Sequence, residues 1–359
     1  MKKIIFLTFC FLGFYGFTYT QVSHIRTVSS AANSPGRYVT LQAAIDSANV
    51  GDTIYVHGGG YNTMTVNKRL TFIGPGFNPQ GQFTAQATIN YIYLDNIVPS
   101  TSANGSKFIG LNIGYIAIKP IEQFKIDSIL IERCRFYTLI ATNVLGDSWT
   151  FRNNLFQWGN YYTGGSLSIN FRKNIIIENN IFASVNGSTQ IQNSNDNTVF
   201  FFNNLFTGHF DNATEFLSVS NARFENNIFY GKSPSTAASS NFANNIFFGN
   251  LVSNSLANLS DGLNNITLDP QFTTVPIDNS KYYFSYSNNY KLLPTSPGHN
   301  AGTDGTDIGI FGGQYPMPLN NLIITGEPPI PQIYYMFIQN SVIDPNTPIN
   351  VNIKARKMN

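Results

Sequence analysis

The sequence has few charged residues. Only 11% of its 359 residues are charged, against about a quarter in a typical soluble domain. Lys and Arg together number 21 and Asp and Glu 19, so removal of Lys2 and Lys3 with a signal peptide would leave 19 of each sign. A neutral chain has no overall field that attracts nucleic acid or an anionic membrane surface, and we expect neither as a partner.

The sequence has only two cysteines, and whether both remain in the mature protein depends on the N-terminal segment. Met1, Lys2 and Lys3 precede an apolar run over residues 4–19, a pattern typical of a bacterial secretory signal. We predict a signal peptide over residues 1–20 and a secreted or cell-surface protein. A retained N-terminal anchor is the alternative, and no later segment is long and apolar enough to span a bilayer. Cys10 lies in the signal, so the mature chain keeps only Cys134 and forms no intrachain disulfide.

A tetrapeptide of two asparagines, an aliphatic residue and a phenylalanine recurs through the middle of the chain. Five copies begin at Asn153, Asn179, Asn203, Asn226 and Asn244, and weaker copies begin at Arg133 and Asn264. Successive copies are 20, 26, 24, 23, 18 and 20 residues apart. Runs that favour β-strands, such as 174–178 and 198–202, precede the asparagines. The pattern predicts a coil of short, parallel strands and turns.

In such a coil, equivalent positions stack about 4.8 Å apart. The phenylalanines then form an aromatic core column made of Phe136, Phe156, Phe182, Phe206, Phe229 and Phe247. The second asparagines form a ladder of amide hydrogen bonds made of Asn154, Asn180, Asn204, Asn227, Asn245 and Asn265. We expect these ladder residues to hold a corner and to take the left-handed backbone of a sharp bend.

With this ladder, the sequence resembles the right-handed parallel β-helix proteins of the pectin-lyase-like family over residues 21–315. The resemblance implies an all-β solenoid, a single domain of about ten coils. Residues 38–56 look like the family's N-terminal cap, because Leu41, Ala44, Ile45 and Ala48 share one helical face before the turn at Gly51. Residues 296–302 and 306–313 resemble the closing coil of many secreted members.

The composition changes after Gly313. Prolines at 316, 318, 328, 329 and 331 predict a stiff linker or an edge covering over residues 316–332. Two β-favouring runs within 333–359 flank the turn 344–348, which indicates a C-terminal β-hairpin. The hairpin is either an appendage packed on the solenoid or an element for surface retention or sorting.

Many members of the family that the sequence resembles are polysaccharide lyases, so the resemblance implies that the residues needed for lyase chemistry should be sought first. Elimination needs a cation against the carboxylate, a base for the adjacent proton and, in most cases, carboxylates that hold Ca²⁺. The weak catalytic candidates are Arg152, Glu178 and Lys173. The alternative is structural: Glu132, Arg152 and Glu178 alternate in sign on successive coils, as in a surface ion-pair ladder. The family's calcium and arginine motifs are not matched, and Ca²⁺ is expected only for a lyase.

The longest repeat carries the candidate ligand-binding residues. Trp158, Tyr161 and Tyr162 lie in the 26-residue step between Asn154 and Asn180, where additional residues loop outwards from a solenoid. Their rings offer flat faces to sugars, and the alternative is that they fold back over the core. The four histidines have no common spacing and no carboxylate or cysteine paired with them in the sequence, so no metal site and no cofactor is predicted.

Two functions follow from these patterns. The first is a non-catalytic protein that presents a polar solenoid face to a polysaccharide or a cell-surface partner. The second is a polysaccharide lyase, or another carbohydrate-active enzyme, that acts on an acidic polysaccharide. A basic cluster and an acidic cluster that converge on one face would favour the enzyme, and the weakness of that signal favours binding.

Overall fold

The structure, a computed structural model, describes residues 24–31, 36–80, 85–97, 101–119, 125–136, 146–157, 167–168, 173–184, 191–192, 198–208, 221–231, 240–249, 262–339 and 348–357. The predicted signal peptide and the candidate residues Trp158, Tyr161 and Tyr162 lie outside these ranges.

The described residues form two long parallel sheets, which we call sheet A and sheet B. Sheet A has ten strands. They are Ile25–Val28, Thr53–Val56, Thr71–Ile73, Lys107–Ile109, Leu130–Glu132, Thr150–Arg152, Ile175–Glu178, Val199–Phe202, Ala222–Glu225 and Asn241–Ala243. Each strand pairs with the strand of the next coil, as a solenoid requires.

Sheet B has nine strands, each of which follows a sheet A strand in the chain. They are Gly59–Val66, Ala87–Leu94, Asn112–Ile118, Arg135–Phe136, Leu155–Gln157, Ile181–Ser184, Leu205–Gly208, Ile228–Tyr230 and Ile246–Phe248. Five further sheets among the described residues have two strands each: Asn96–Ile97 with Thr101–Ser102, Leu167–Ser168 with Ile191–Gln192, Phe272–Thr274 with Asn289–Leu292, Leu319–Asn320 with Ile323–Ile324, and Gln332–Ile338 with Val351–Arg356. The fold is the predicted parallel β-helix.

A short helix near the start of the chain and a β-hairpin near its end accompany the solenoid, as predicted. The α-helix Leu41–Ser47 begins at Thr40, whose hydroxyl accepts a hydrogen bond from the backbone N–H of Ala43 at 3.2 Å. Leu41, Ala44 and Ile45 are its buried residues and join the core. The one other helix among the described residues is a 3₁₀ turn, Asn279–Tyr282. The hairpin is the antiparallel pair Gln332–Ile338 and Val351–Arg356.

The predicted aromatic column is confirmed and fills the core. From Phe136 to Phe247, the ring centroids are separated by 5.1, 4.6, 4.8, 4.6 and 4.9 Å, with nearly parallel planes. A second stack, Phe201, Phe224 and Phe242, projects inwards from sheet A with separations of 4.4 and 4.6 Å. Because one ring per coil matches the strand spacing, the coils stay in register along the axis.

The predicted asparagine ladder is also confirmed. The side-chain amide of Asn154 donates to Oδ1 of Asn180 at 2.9 Å, and the later links to Asn265 measure 3.0, 2.9, 2.9 and 3.2 Å. Each Oδ1 also accepts the backbone N–H of the preceding ladder residue, or of Cys134 at the first coil. The ladder therefore provides hydrogen-bond acceptors for backbone N–H groups at the corner, where no neighbouring strand accepts from them.

The expectation that the ladder residues take the left-handed backbone is wrong. The left-handed residues are the first members of each pair: Asn153, Asn179, Asn203, Asn226, Asn244 and Asn264 have φ between 52° and 59°. The bend lies one residue earlier because a left-handed residue there turns its own side chain outwards and the next one inwards. The two asparagines thus have separate tasks, one inside the corner and one outside it.

The outward asparagines bind residues 296–327, which we call the strap. Asn244 donates to the carbonyl of Ala301, Asn179 to those of Ile310 and Gly312, and Asn153 to that of Tyr315. Residue numbers rise along the strap as they fall along the solenoid, so the strap runs back towards the N-terminal coils. Residues 296–302 and 306–313, expected as a closing coil, belong to neither long sheet and lie along the corner.

Residues 316–331 remain in contact with the solenoid, and the hairpin is attached beyond them. Glu327 is 1% exposed and forms an ion pair with Arg356 at 2.7 Å, and Arg356 also donates to the carbonyl of Gln80. Several large apolar side chains of the hairpin are exposed, among them Phe337 and Ile353. The hairpin is held to the N-terminal coils through this arginine.

Burial raises the pKa values of several groups that stay protonated in the folded protein. The pKa of Cys134 rises from 9.0 to about 12, and that of Tyr290 rises from 10.0 to about 12. The unfolded chain would lose these protons from about pH 9 upwards, so it binds fewer protons than the folded chain in this window.

We therefore expect the free energy of unfolding to fall as pH rises from about 9 to about 12, and to be unaffected by these groups below that range. Urea midpoints measured at a series of pH values test this. The Cys134→Ala/Tyr290→Phe variant removes both groups and should show a shallower decline, whereas an equal decline in the variant would contradict the assignment.

Candidate functional site

The predicted charged column lies on the outer face of sheet A. Glu132, Arg152 and Glu178 are direct partners on adjacent strands. Nε and one terminal nitrogen of Arg152 both lie 2.7 Å from Oε1 of Glu178. The guanidinium carbon lies 3.4 Å from the ring centroid of Tyr315 in the strap. The Arg152–Glu178 ion pair is one link of the ion-pair ladder given above as the structural alternative, whereas Glu132 forms its ion pair with Arg133 at 3.5 Å. Arg152 thus contacts a carboxylate and an aromatic ring.

The other charged candidates lie apart from this pair. Lys173 is exposed just before the strand Ile175–Glu178, and Glu178 is at the far end of that strand. The backbone N–H of Lys173 donates to Asp147, which forms an ion pair with Lys125 at 3.2 Å. The structure therefore brings Arg152 and Glu178 together and places Lys173 beyond the opposite end of the strand Ile175–Glu178.

No metal-binding cluster occurs within the described ranges. No group of three or more His, Cys, Asp or Glu side chains there is arranged to hold an ion. Asp304 and Asp307 in the strap support the local turn, since Asp304 accepts from the backbone N–H of Thr306 and Asp307 from that of Asn300. Asp307 also contacts Nδ1 of His299 at 2.7 Å.

The strap and the solenoid enclose a cleft of about 540 Å³ beside the charged column. On the solenoid side it is lined by Glu132, Arg133 and Asn153. On the other side it is lined by the strap and by two lysines, and the contributing side chains include Lys291, Phe311, Gln314, Tyr315 and Lys357. We call this space the strap cleft. It combines apolar and aromatic side chains, including those of Met317 and Leu319, with a few charged and amide groups, which is the usual composition of a small-ligand site.

Arg133 forms part of the wall of the strap cleft and is nearly buried, at 6% exposure. It occupies the position of the first asparagine in its coil and has the same left-handed backbone, with φ of 54°. Its guanidinium donates to the carbonyl of Glu327 at 2.7 Å and lies 3.5 Å from Glu132. The pKa of Arg133 is lowered, mainly by burial and further by the positive charge of Arg152, while the nearby Glu132 acts in the opposite direction.

The cleft carries more positive than negative charge. Its charged lining residues are Arg133, Lys291, Lys357 and Glu132, which amount to three cations and one anion. Lys291 and Lys357 are exposed, and neither forms an ion pair within the described part of the chain. The Lys291 ammonium lies 5.8 Å from the ring centroid of Phe311. Two cations are thus available to a ligand.

Sequence reasoning identified Arg152 and Glu178 next to this cleft but missed Arg133, Lys291, Tyr315 and Lys357. One signal was present: Arg133 stands where the five strong repeats have asparagine. The two lysines had no comparable signal, because their nearness to Arg133 depends on how the chain folds back after the last coil.

The stacked parallel sheets and the asparagine ladder define the chain as a parallel β-helix protein, the fold expected from the resemblance to the pectin-lyase-like family. Two crystal structures of the pectin methylesterase from Aspergillus niger, in deglycosylated and penultimately deglycosylated form, are similar to it. Each is 14% identical, covers 72% of this chain and 93% of its own, and has a TM-score of 0.37. No protein-family model and no curated protein matches the sequence.

Proposed function

We propose that the protein acts outside the cell, in secreted or surface-attached form, and binds an acidic polysaccharide in the strap cleft without cleaving it. The observation that carries the proposal is the excess of cations around the cleft, in a chain in which only 11% of residues are charged. An ammonium on a flexible stem suits a carboxylate whose position varies along a polymer. Phe311 and Tyr315 supply the flat surfaces against which sugar rings pack.

Binding without cleavage is supported by the state of Arg152. A base for elimination must receive a proton at an accessible nitrogen. In Arg152 the guanidinium faces Glu178 on one side and the ring of Tyr315 on the other, with 19% of the side chain exposed. Lys173 is about one strand length from Glu178, so these candidates do not converge on one substrate bond. No residue is assigned a catalytic role, and no cofactor is proposed.

The location outside the cell is proposed from the signal-like residues 1–20. Among the described residues, no helix is long and apolar enough to cross a membrane. The same proposal gives the protein a polysaccharide or another cell-surface molecule as its partner, and no nucleic acid.

The test is calorimetric titration of the full chain with hexagalacturonate. The Lys291→Gln/Lys357→Gln variant should bind at least about ten-fold more weakly, which corresponds to about 1.4 kcal/mol. Lys107→Gln is the matched control, because Lys107 is an exposed lysine on sheet A outside the cleft. It should bind as the wild type does. Binding should also weaken as salt is added, since both lysines are exposed to solvent.

Three results would contradict the proposal. The first is the absence of binding to hexagalacturonate, and the second is an equal loss of affinity in Lys107→Gln. The third is the appearance of unsaturated product, followed by ultraviolet absorbance with Ca²⁺ or with a chelator. If that absorbance disappeared in Arg152→Ala, the protein would be a polysaccharide lyase and the ion pair would be part of its active site.

A further inference from the structure

A group of three tyrosines lies on the outer surface of sheet B, near the N-terminal end of the solenoid. Tyr91 and Tyr93 are on the strand Ala87–Leu94, and Tyr115 is on the next strand, Asn112–Ile118. In the strand register, Tyr91 pairs with Tyr115 and Tyr93 with Ala117. We call these three residues the tyrosine face. None of the three lines the strap cleft.

The rings of the tyrosine face lie close enough to act together. The centroids of Tyr91 and Tyr93 are 6.5 Å apart with planes inclined by 8°. Tyr115 lies 5.7 Å from Tyr91 and 6.5 Å from Tyr93, and its plane is inclined to theirs by 58° and 65°. Two parallel rings and one tilted ring therefore form a ridged surface. Tyr91 is 48% exposed, so part of this surface is open to solvent.

The strands of the tyrosine face carry no charge. The strands Gly59–Val66, Ala87–Leu94 and Asn112–Ile118 have no Asp, Glu, Lys or Arg at any position, and the sheet B strand on the other side carries Arg135, which pairs with Asn112. Beyond their ends, Lys119 forms an ion pair with Asp95 at 3.1 Å. A charged ligand would find no opposite charge on these strands, whereas the affinity of an uncharged ligand does not depend on one.

The polar neighbours of the tyrosines are hydroxyl and amide groups. Thr63 pairs with Tyr91 and Thr65 with Tyr93 across the strands, and Asn62 and Asn90 are exposed beside them. The aliphatic side chains of the same strands point inwards: Met64, Ile89, Ile92 and Ile116 are each 0–1% exposed. The centre of a protein–protein interface is more apolar than the rest of the surface, although tyrosine is enriched there. Here aromatic rings are combined with hydrogen-bonding groups alone.

We propose that the tyrosine face is a second saccharide site, and that it takes uncharged sugars. A neutral pyranose has an apolar face of C–H groups, which packs on an aromatic ring, and a rim of hydroxyls, which exchange hydrogen bonds with Thr, Asn and tyrosine hydroxyls. Rings on adjacent strands and at alternate positions of one strand present successive contacts to a chain of sugars. This site is independent of the strap cleft and does not rest on the function proposed for it.

The pKa of Tyr115 agrees with this geometry. It is raised first by burial, and then by the negative charge that Tyr93 and Tyr91 would carry if ionised. The Tyr115 hydroxyl therefore remains protonated at neutral pH and is able to donate as well as accept hydrogen bonds.

The experiment is affinity electrophoresis of the full chain through gels that contain hydroxyethyl cellulose, xylan, mannan or laminarin. We expect at least one of these neutral polysaccharides to retard the protein. The Tyr91→Ala/Tyr93→Ala variant should lose at least about 90% of that retardation, and Tyr91→Phe/Tyr93→Phe should keep most of it because the rings remain. Tyr55→Ala is the matched control: Tyr55 is a half-buried tyrosine on sheet A, and its loss should have no effect.

The outcomes separate the two sites. Lys291→Gln/Lys357→Gln should retain neutral-polysaccharide binding, and Tyr91→Ala/Tyr93→Ala should retain its affinity for hexagalacturonate. The proposal is overturned if none of the four polysaccharides retards the wild type, or if Tyr55→Ala loses as much retardation as the double variant. It is also overturned if the tyrosine variants change the oligomeric state in sedimentation without changing retardation, since the face would then be a contact between copies of the chain.

Discussion

Replacement of Asn204 by alanine should destabilise the protein by about 4 kcal/mol. Asn204 is fully buried at the centre of the ladder. Its Nδ2 donates to the carbonyl of Ile177 at 2.8 Å and to Oδ1 of Asn227 at 2.9 Å. Its Oδ1 accepts both the backbone N–H and the side-chain amide of Asn180, each at 3.0 Å. The alanine variant leaves the Ile177 carbonyl and the Asn180 N–H without these partners, at about 1–3 kcal/mol for each buried group.

The measurement is urea unfolding followed by circular dichroism, with the midpoint as the readout. Asn241→Ala is the control, since Asn241 is an exposed asparagine at the start of a sheet A strand. It should change the free energy of unfolding by less than about 0.5 kcal/mol. If the two variants had the same midpoint, the ladder would contribute no more than a surface asparagine.

Removal of one ring from the aromatic column should have an effect of similar size. Phe206 is fully buried, with the rings of Phe182 and Phe229 at 4.8 and 4.6 Å on its two sides. Phe206→Ala loses the transfer free energy of the ring and leaves a cavity between two coils, at a cost of about 3–5 kcal/mol. Phe206→Leu fills part of that cavity and should cost about 1.5 kcal/mol.

The same coil provides the control for this prediction. Phe200 lies on the strand Val199–Phe202, is partly exposed on the outer face and stacks on Phe202 at 5.6 Å. Phe200→Ala should cost less than about 1.5 kcal/mol, because solvent occupies the space that the ring leaves. Urea midpoints of the three variants give the order directly. A larger loss for Phe200→Ala than for Phe206→Ala would contradict the assignment of the core.

The repeat made the interior of this protein predictable. A residue that recurs once per coil must stack on its copies, so the partners of Phe206 and Asn204 follow from counting along the sequence. The direction of the backbone at the corner did not follow, because either asparagine of a pair tolerates left-handed dihedral angles. Only the structure distinguishes Asn203, with φ of 54°, from its neighbour Asn204.

The two candidate sites differ in how far the sequence could have revealed them. The tyrosine face had a signal, since Tyr91 and Tyr93 alternate with inward-facing Ile92 in a strand. The strap cleft had almost none. The contact between Arg133 and Glu327 joins residues 194 positions apart, and its acceptor is a backbone carbonyl that any residue would supply. No periodicity in residue type records a contact of that kind.

The strap also fixes how many coils the protein can have. Solenoids commonly lengthen or shorten by duplication or deletion of single repeats, because each repeat contacts only its neighbours. Here Asn244, Asn226, Asn203, Asn179 and Asn153 each bind a different point between Ala301 and Tyr315. An added or deleted coil would move every later binding point by one strand spacing, and the strap would no longer match it. In this protein, a change in the number of coils therefore requires a matching change in the length of the non-repetitive strap, so the strap constrains the length of the solenoid.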